Sequence, residues 1–401
     1  MKITALTHKF PFPVRTGGDA YTGNILTSLA KMGAEVDVYC HGENCTPPSN
    51  VNLHGVSWHL YSPPRASMFS QIFSSYPTIC SKHYNWEIIK DLLNVSPPDY
   101  YLFDNIGMAS YQPVIESLVQ KHRTPFIAHV SHNVESDLRP QVARDFGSNS
   151  IANFLARLDA RKAARVERSL IQTSNLVSTI TDQDRDRFVE LFGVTNCVTL
   201  PPGYDDTYVH HRAITPEVPR NIVILGGRMT VMKQIVLDTC LGAAATGFID
   251  RSMNLHVVGP TPSAYLRKLQ LKYPDVHFHG FVDDITPLLN QMRLGILADH
   301  VGGGFKLRAL SYVFHRIPLV ALPSAMLGLP LEPGRDYVPI SGNSELAEAC
   351  DQIVDDFKLL NRLQENAYAK CSEQFSWDAT GASLFRAMQS TLPSRDMPSN
   401  T

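Results

Sequence analysis

The pair best suited to chemistry is Arg228 and Lys233, two cations five positions apart behind a Gly226–Gly227 turn in the run LGGRMTVMK. The glycines let backbone approach a ligand, the guanidinium offers a planar fork, and the ammonium is a mobile point charge. Together they suit a diphosphate. The alternative is a solvated helix start, but cations there oppose the helix dipole. A second turn of this kind is Gly302, Gly303 and Gly304, followed by Phe305, Lys306 and Arg308. Three glycines before a helix leave N–H groups free for an anion, unless they serve only as a hinge.

Two further loops come earlier. Pro13, Arg15, Gly17, Gly18 and Asp19 follow the apolar run Ile3–Leu6. A Gly-Gly pair opening a helix aims backbone N–H groups at a ligand or makes a plain tight turn. Ser131, His132, Asn133, Val134 and Glu135 follow the apolar run Phe126–Val130. His132, just past a strand end, acts on a hydroxyl, positions a sugar, or is structural; His129, inside the strand, is structural. The acidic triplet Asp182, Asp184 and Asp186 lies at a helix start, where capping and the dipole explain it, so no metal is assigned. No GxGxxG, HExxH, Walker A or Ser-His-Asp pattern occurs.

The elements that must hold these loops alternate between short apolar strands and amphipathic helices, the pattern of parallel α/β architecture. In the first half, strands are expected at 3–6, 35–39, 100–103, 126–130 and 176–180, with helices at 19–32 and 151–172 and a helix from Asp182 capped by Thr181. Residues 61–85 show neither period and read as an acceptor-side loop region. The Pro/Gly/Asp-rich stretch 200–219 reads as a linker. The pattern then restarts, with strands at 221–225, 255–259, 276–279, 294–298 and 318–322. Helices are expected at 233–245, 264–272, 285–292, 305–315, 344–357 and 378–389. A polar tail after Leu392 is expected to be disordered.

A chain of 401 residues suggests two domains. A formal charge of −2 gives no basic excess for nucleic acid. No apolar run approaches the roughly 20 residues that span a bilayer. The seven cysteines include no CxxC pair, so neither a disulfide framework nor a zinc site is indicated, and a cytoplasmic protein with reduced thiols is expected.

In this order, the loops resemble the GT-B glycosyltransferases, specifically the retaining family GT4 (group 1). The resemblance rests on PFPVRTGGDA (11–20), HNVE (132–135), Glu167, LPPGYD (200–205), GRMTVMK (227–233), the strand end Val258–Pro260, HGFVDD (279–284), and GGGFKLRAL (302–310) with Pro318–Ala321. It implies an α/β GT-B fold, two Rossmann-like domains with parallel sheets facing across a cleft. Residues 1–205, with a returning helix at 377–392, would form the acceptor domain and 206–376 the donor domain, leaving 393–401 as the tail. It implies that Arg228 and Lys233 hold the donor's diphosphate, and that His132 lies near the reacting sugar. Gly17 and Gly18 would lie against donor or acceptor, backbone near Phe281 and Val282 would meet the base, and Gly227, Gly303, Gly304, Phe305 and Lys306 would complete the donor site. The family's E-x7-E pair falls on Gly303 and Ser311. Serine in place of the second glutamate loses a charge-assisted grip on the ribose worth on the order of 1.5–3 kcal/mol.

The activity this implies is transfer of a sugar from a nucleotide-diphosphate donor to an acceptor hydroxyl in glycan or glycoconjugate biosynthesis. No cofactor or metal is expected. The acceptor would be a carbohydrate, a lipid-linked or a small molecule. The alternatives are a non-catalytic sugar-nucleotide-binding or partner protein, which Ser311 motivates, and a sugar-nucleotide epimerase. Arg157, Arg161, Lys162, Arg165 and Arg168 on the 151–172 helix leave peripheral contact with the inner face of a membrane open. With Asp159 and Glu167 interspersed, an ordinary solvated face explains the helix as well.

Overall fold

Strand β1 (Lys2–Leu6) buries Ile3, Ala5 and Leu6. It pairs in parallel on one side with β2 (Glu35–His41) and on the other with β5 (Tyr100–Asp104), whose five residues are all buried. Covered on both faces, such strands read as continuous apolar runs. The computed structural model describes residues 1–42, 49–64, 73–122, 125–145, 151–226, 231–299 and 305–392. The chain divides into one unit of Met1–Pro202 with the segment from Trp377, and a second of Gly203–Ser376. The expected tail lies outside the described residues.

Between β1 and β2, α1 (Gly17–Lys31) is capped by Thr16, whose hydroxyl accepts the Asp19 N–H at 3.1 Å. The cap moves the helix start to Gly17, two residues before the expected one, so both glycines lie in its first turn. Strands β3 (Ser49–Leu53) and β4 (Val56–Tyr61) form an antiparallel hairpin at the sheet edge. Its two turn residues, His54 (φ 56°) and Gly55 (φ 76°), are both left-handed, as this tightest hairpin requires. Next come α2 (Thr78–Ser81) and α3 (Trp86–Asn94), both placed where no helix was expected; α3 is capped by Asn85. The unit continues with α4 (Gln112–His122), β6 (Phe126–Val130), α5 (Glu135–Asp145), α6 (Ile151–Thr173), β7 (Leu176–Thr179), α7 (Asp182–Phe192) and β8 (Cys197–Thr199). Thr181 caps α7 by accepting the Asp184 N–H at 3.0 Å. The strand order is β3-β4-β2-β1-β5-β6-β7-β8, parallel except for the hairpin. The helix Trp377–Thr391 packs on α1, and its Thr380 hydroxyl donates to the Pro201 carbonyl at 2.6 Å.

The second unit has β9 (Asn221–Leu225), α8 (Val231–Asp250), β10 (Asn254–Val258), α9 (Ser263–Lys272), β11 (His277–Gly280) and α10 (Thr286–Leu289). It continues with β12 (Leu294–Leu297), α11 (Leu307–Phe314), β13 (Leu319–Ala321), β14 (Val338–Pro339), α12 (Leu346–Ile353) and α13 (Phe357–Cys371). The expected helix 344–357 is interrupted. Asp356 accepts the Leu359 N–H at 2.9 Å and starts α13 afresh, a cap that sequence reading passed over. All six strands are parallel, in the order β11-β10-β9-β12-β13-β14. In both sheets the first strand lies where the strand order reverses, between β2 and β5 and between β10 and β12. Ligands of open α/β sheets bind beyond the carboxyl ends of strands at such points.

The described cysteines are all free, and all but Cys197 are buried. No helix among the described residues is long and apolar enough to cross a membrane.

Candidate active site

At the carboxyl ends of β9 and β12 a solvent-connected pocket opens in the second unit. Among the described residues its polar lining is the Gly226 backbone, Lys233, Asp299 and Arg308, two cations against one carboxylate. Each reaches the cavity for a local reason. Lys233 lies in the first turn of α8, directly beyond β9. Asp299 follows β12 and is 8% exposed. Arg308 is one turn before Tyr312 on α11, a spacing that puts both on one helix face. The buried Tyr312 hydroxyl accepts the Leu225 N–H at 2.6 Å and donates to the Ile296 carbonyl at 2.9 Å, which fastens α11 across β9 and β12. Arg308 in turn pairs with Asp299.

Burial, then the charge of Arg308, holds the Lys233 ammonium below its ordinary range, and Asp299 offsets part of this. A partly desolvated lysine beside a second cation favours an anion that neutralises both, and such preorganised charge acts most strongly where water is excluded.

Backbone contact closes the cavity's rim. The Gly226 N–H donates to the Val258 carbonyl at 2.6 Å. A Cβ on Gly259 (φ 141°) would lie 2.3 Å from the Gly226 carbonyl oxygen. Gly259→Ala therefore has to push the β9 turn aside. We expect it to cost about 1–3 kcal/mol, read as a lowered thermal midpoint together with weakened nucleotide binding.

In the first unit the corresponding switch point gathers the end of β1, the end of β5 and the loop after β6. His132 Nε2 lies 2.8 Å from Asp104 Oδ1, while the Thr7 and Thr22 hydroxyls each donate to Oδ2 at 2.7 Å. Burial opposes ionisation of Asp104, but the His132 charge and the three hydrogen bonds outweigh it and hold the carboxyl below its usual range. An ionised carboxylate only accepts, so His132 donates its Nε2 proton to Asp104. The Tyr21 ring meets His132 edge-on at 5.1 Å, and its hydroxyl donates to the Leu200 carbonyl at 2.8 Å. His129 points instead to the Phe103 carbonyl at 3.3 Å and is buried, a structural position.

Glu167 of α6 fixes the other end of the His132 loop. It accepts the Glu135 and Ser136 N–H groups, each at 2.8 Å, and the Ser136 hydroxyl at 2.5 Å, and so caps α5. Burial raises its carboxyl from 4.5 to about 7, against the pull of those hydrogen bonds. A carboxyl raised on folding stabilises the fold at low pH, and the contribution is lost as pH rises through about 7. The thermal midpoint should therefore fall between pH 4.5 and about 7 by more in the parent than in Glu167→Gln, which cannot ionise; parallel curves would contradict this assignment.

The remaining expected residues distribute as follows. Gly227, Arg228, Gly303 and Gly304 lie outside the described residues. Phe281 is 70% exposed just after β11, and Val282 packs on the unit's core. Phe305 packs on Phe375 with ring centroids 5.5 Å apart, and Lys306 occupies the N-cap of α11. Ser311 is not part of the cavity lining. Its carbonyl lies 2.9 Å from His315 Nδ1, which is 3.3 Å from the Tyr204 hydroxyl. The site residues that the sequence does not single out are Asp104 and Asp299; Arg308 is visible there only as a charge beside the second glycine turn. Among the described residues no group of three or more His, Cys, Asp or Glu side chains is placed to hold a metal.

Comparison with known proteins places these features in context. Residues 220–356 match the family model described as glycosyl transferases group 1. The fold is GT-B. Sucrose-phosphate synthase from Thermosynechococcus elongatus superposes with a TM-score of 0.70 at 14% identity, over 97% of this chain and 98% of that one. WaaG, a glycosyltransferase involved in lipopolysaccharide biosynthesis, gives 0.66 at 16%, covering 96% and 99%. Anabaena HepE in complex with UDP-glucose gives 0.65 at 15%, covering 97% and 100%. A comparison with curated protein sequences gives no match. The matched segment runs from the start of β9 through α12, and so includes Lys233, Asp299 and Arg308.

Proposed function

We propose that this chain is a GT4-type glycosyltransferase that moves a sugar from a nucleotide diphosphate to an acceptor hydroxyl with retention, in glycan or glycoconjugate biosynthesis. The observation that carries the proposal is the cavity at the second switch point, where Lys233 and Arg308 outnumber Asp299 inside the segment matching the group 1 family. That HepE was solved with UDP-glucose supports a nucleotide sugar as the donor class. The second unit takes the donor. Arg228 and Lys233 hold its diphosphate together with Arg308, and Gly227, Gly303, Gly304, Phe305 and Lys306 complete that side, with Phe281 and Val282 at the base. The first unit takes the acceptor, with Gly17, Gly18 and His132 beside it.

In the transfer step the bond from the anomeric carbon to the diphosphate oxygen breaks and a bond to the acceptor oxygen forms. The acceptor's proton passes to the leaving phosphate. Lys233 and Arg308 stabilise the charge that develops there without a metal. The test is release of nucleoside diphosphate from UDP-, GDP-, TDP- and ADP-sugars by purified protein, with and without carbohydrate acceptors. Release that rises with an acceptor supports transfer. Binding without release would support the non-catalytic alternative, which the place of Ser311 outside the cavity lining favours.

A further inference from the structure

Helix α6 turns to solvent a face of one chemical kind. Ile151 (81% exposed) and Phe154 (62%) stand in its first turn, and Arg157, Arg161 and Arg165 follow, all exposed. The acids that break up the basic run in sequence are not on this face. Glu167 is 1% exposed and caps α5. Asp159 is taken by the Thr78 N–H at 2.6 Å, the Thr78 hydroxyl at 2.8 Å and Arg139 at 3.9 Å. From α5, Arg144 joins Arg157 and Arg161 around an open groove whose walls include Pro140, Ala160 and Ala164. Among the described residues these three arginines have no carboxylate partner. In a chain of net charge −2, this face is a local cationic excess beside exposed aromatic and aliphatic side chains.

Like charges stacked along a helix repel one another unless an anionic surface faces them. A row of arginines continuing from exposed Phe and Ile is the composition of a helix lying at a bilayer interface. We infer that this face of α6, with Arg144, docks on an anionic lipid surface. Ile151 and Phe154 enter the headgroup boundary, Arg157, Arg161 and Arg165 meet lipid phosphates, and the groove between α5 and α6 seats one phosphate headgroup. The inference is independent of the transfer activity, and its test does not use that activity.

The test is flotation of the full chain with vesicles of phosphatidylcholine alone or mixed with phosphatidylglycerol. Partition should occur with the mixed vesicles only and weaken with added salt. Each cation near such a surface contributes about fivefold, so the double variant Arg157→Gln/Arg161→Gln should bind about 25-fold more weakly, and Phe154→Ser should also weaken partition by removing the inserted apolar side chain. Both variants should keep the parent thermal midpoint, since these side chains are exposed. Equal binding to neutral vesicles, no binding to anionic ones, or full binding by the double variant would overturn the inference. So would inorganic phosphate that displaces the vesicles at an ionic strength where chloride does not, because the groove would then serve a soluble anion.

Discussion

Replacing Lys233 with alanine is expected to lower kcat/KM for sugar transfer by about 10²–10³-fold, with a thermal midpoint close to that of the parent. The two halves of this expectation come from the same local charges. Burial and Arg308 disfavour the Lys233 ammonium in the folded chain while Asp299 favours it, so deleting it removes a disfavoured charge along with the contacts that the side chain makes. In the liganded state the same two cations face a diphosphate whose charge grows as the sugar leaves, and the loss then falls on the transition state. A lysine serving only the fold would give the opposite pattern: a lower midpoint and little kinetic change. Steady-state kinetics with a competent donor, beside a melting curve, separate the two. Arg308→Ala is a poorer probe because it leaves Asp299 buried without its ion-pair partner.

Asp104→Asn should reduce kcat by about 10²–10⁴-fold without changing donor affinity. The Thr7 and Thr22 hydroxyls both donate to Oδ2, so the amide oxygen takes that position and the NH₂ group takes the position of Oδ1. There it faces His132 Nε2, 2.8 Å away in the parent, and two donors cannot meet. His132 must either give up its Nε2 proton to accept from the amide or lose the contact, and both change what the ring offers to any acceptor hydroxyl. Loss of the charge-assisted bond should also cost on the order of 1.5–3 kcal/mol of stability. Measuring kcat and the calorimetric Kd for the donor's nucleotide on one preparation tests this. An unchanged kcat would make the His132–Asp104 pair structural.

Much of the architecture could be read from periodicity because its strands are short apolar runs bounded by Gly, Pro or Asp. Phe126–Val130 and Asn221–Leu225 have the limits expected for them. The β3–β4 hairpin escaped because β3 is exposed along most of its length and turns on His54–Gly55, a weaker signal than Asn-Gly. In the site, Lys233 was visible as a cation placed against a helix dipole. Asp104 was not, since it was taken as the residue after a strand ending at Phe103 rather than as that strand's last member. Its role depends on Thr7, Thr22 and His132, which come from three other segments. Asp299 and Arg308 stand nine residues apart across a glycine-rich loop, and only the Tyr312 anchor to β9 and β12 brings them to one cavity. The acids on α6 depend on the fold in the same way. One-dimensional spacing put Asp159 and Glu167 among the arginines, whereas the folded helix spends both on internal contacts.

The central claim is that the second-unit cavity binds the diphosphate of a nucleotide. Its most direct test is titration calorimetry of the full chain with UDP, GDP, TDP and ADP, repeated on Lys233→Ala. Binding of at least one nucleoside diphosphate by the parent, weakened about a hundredfold or more in the variant, is the predicted result. No binding of any of the four, or equal binding by parent and variant, would contradict it.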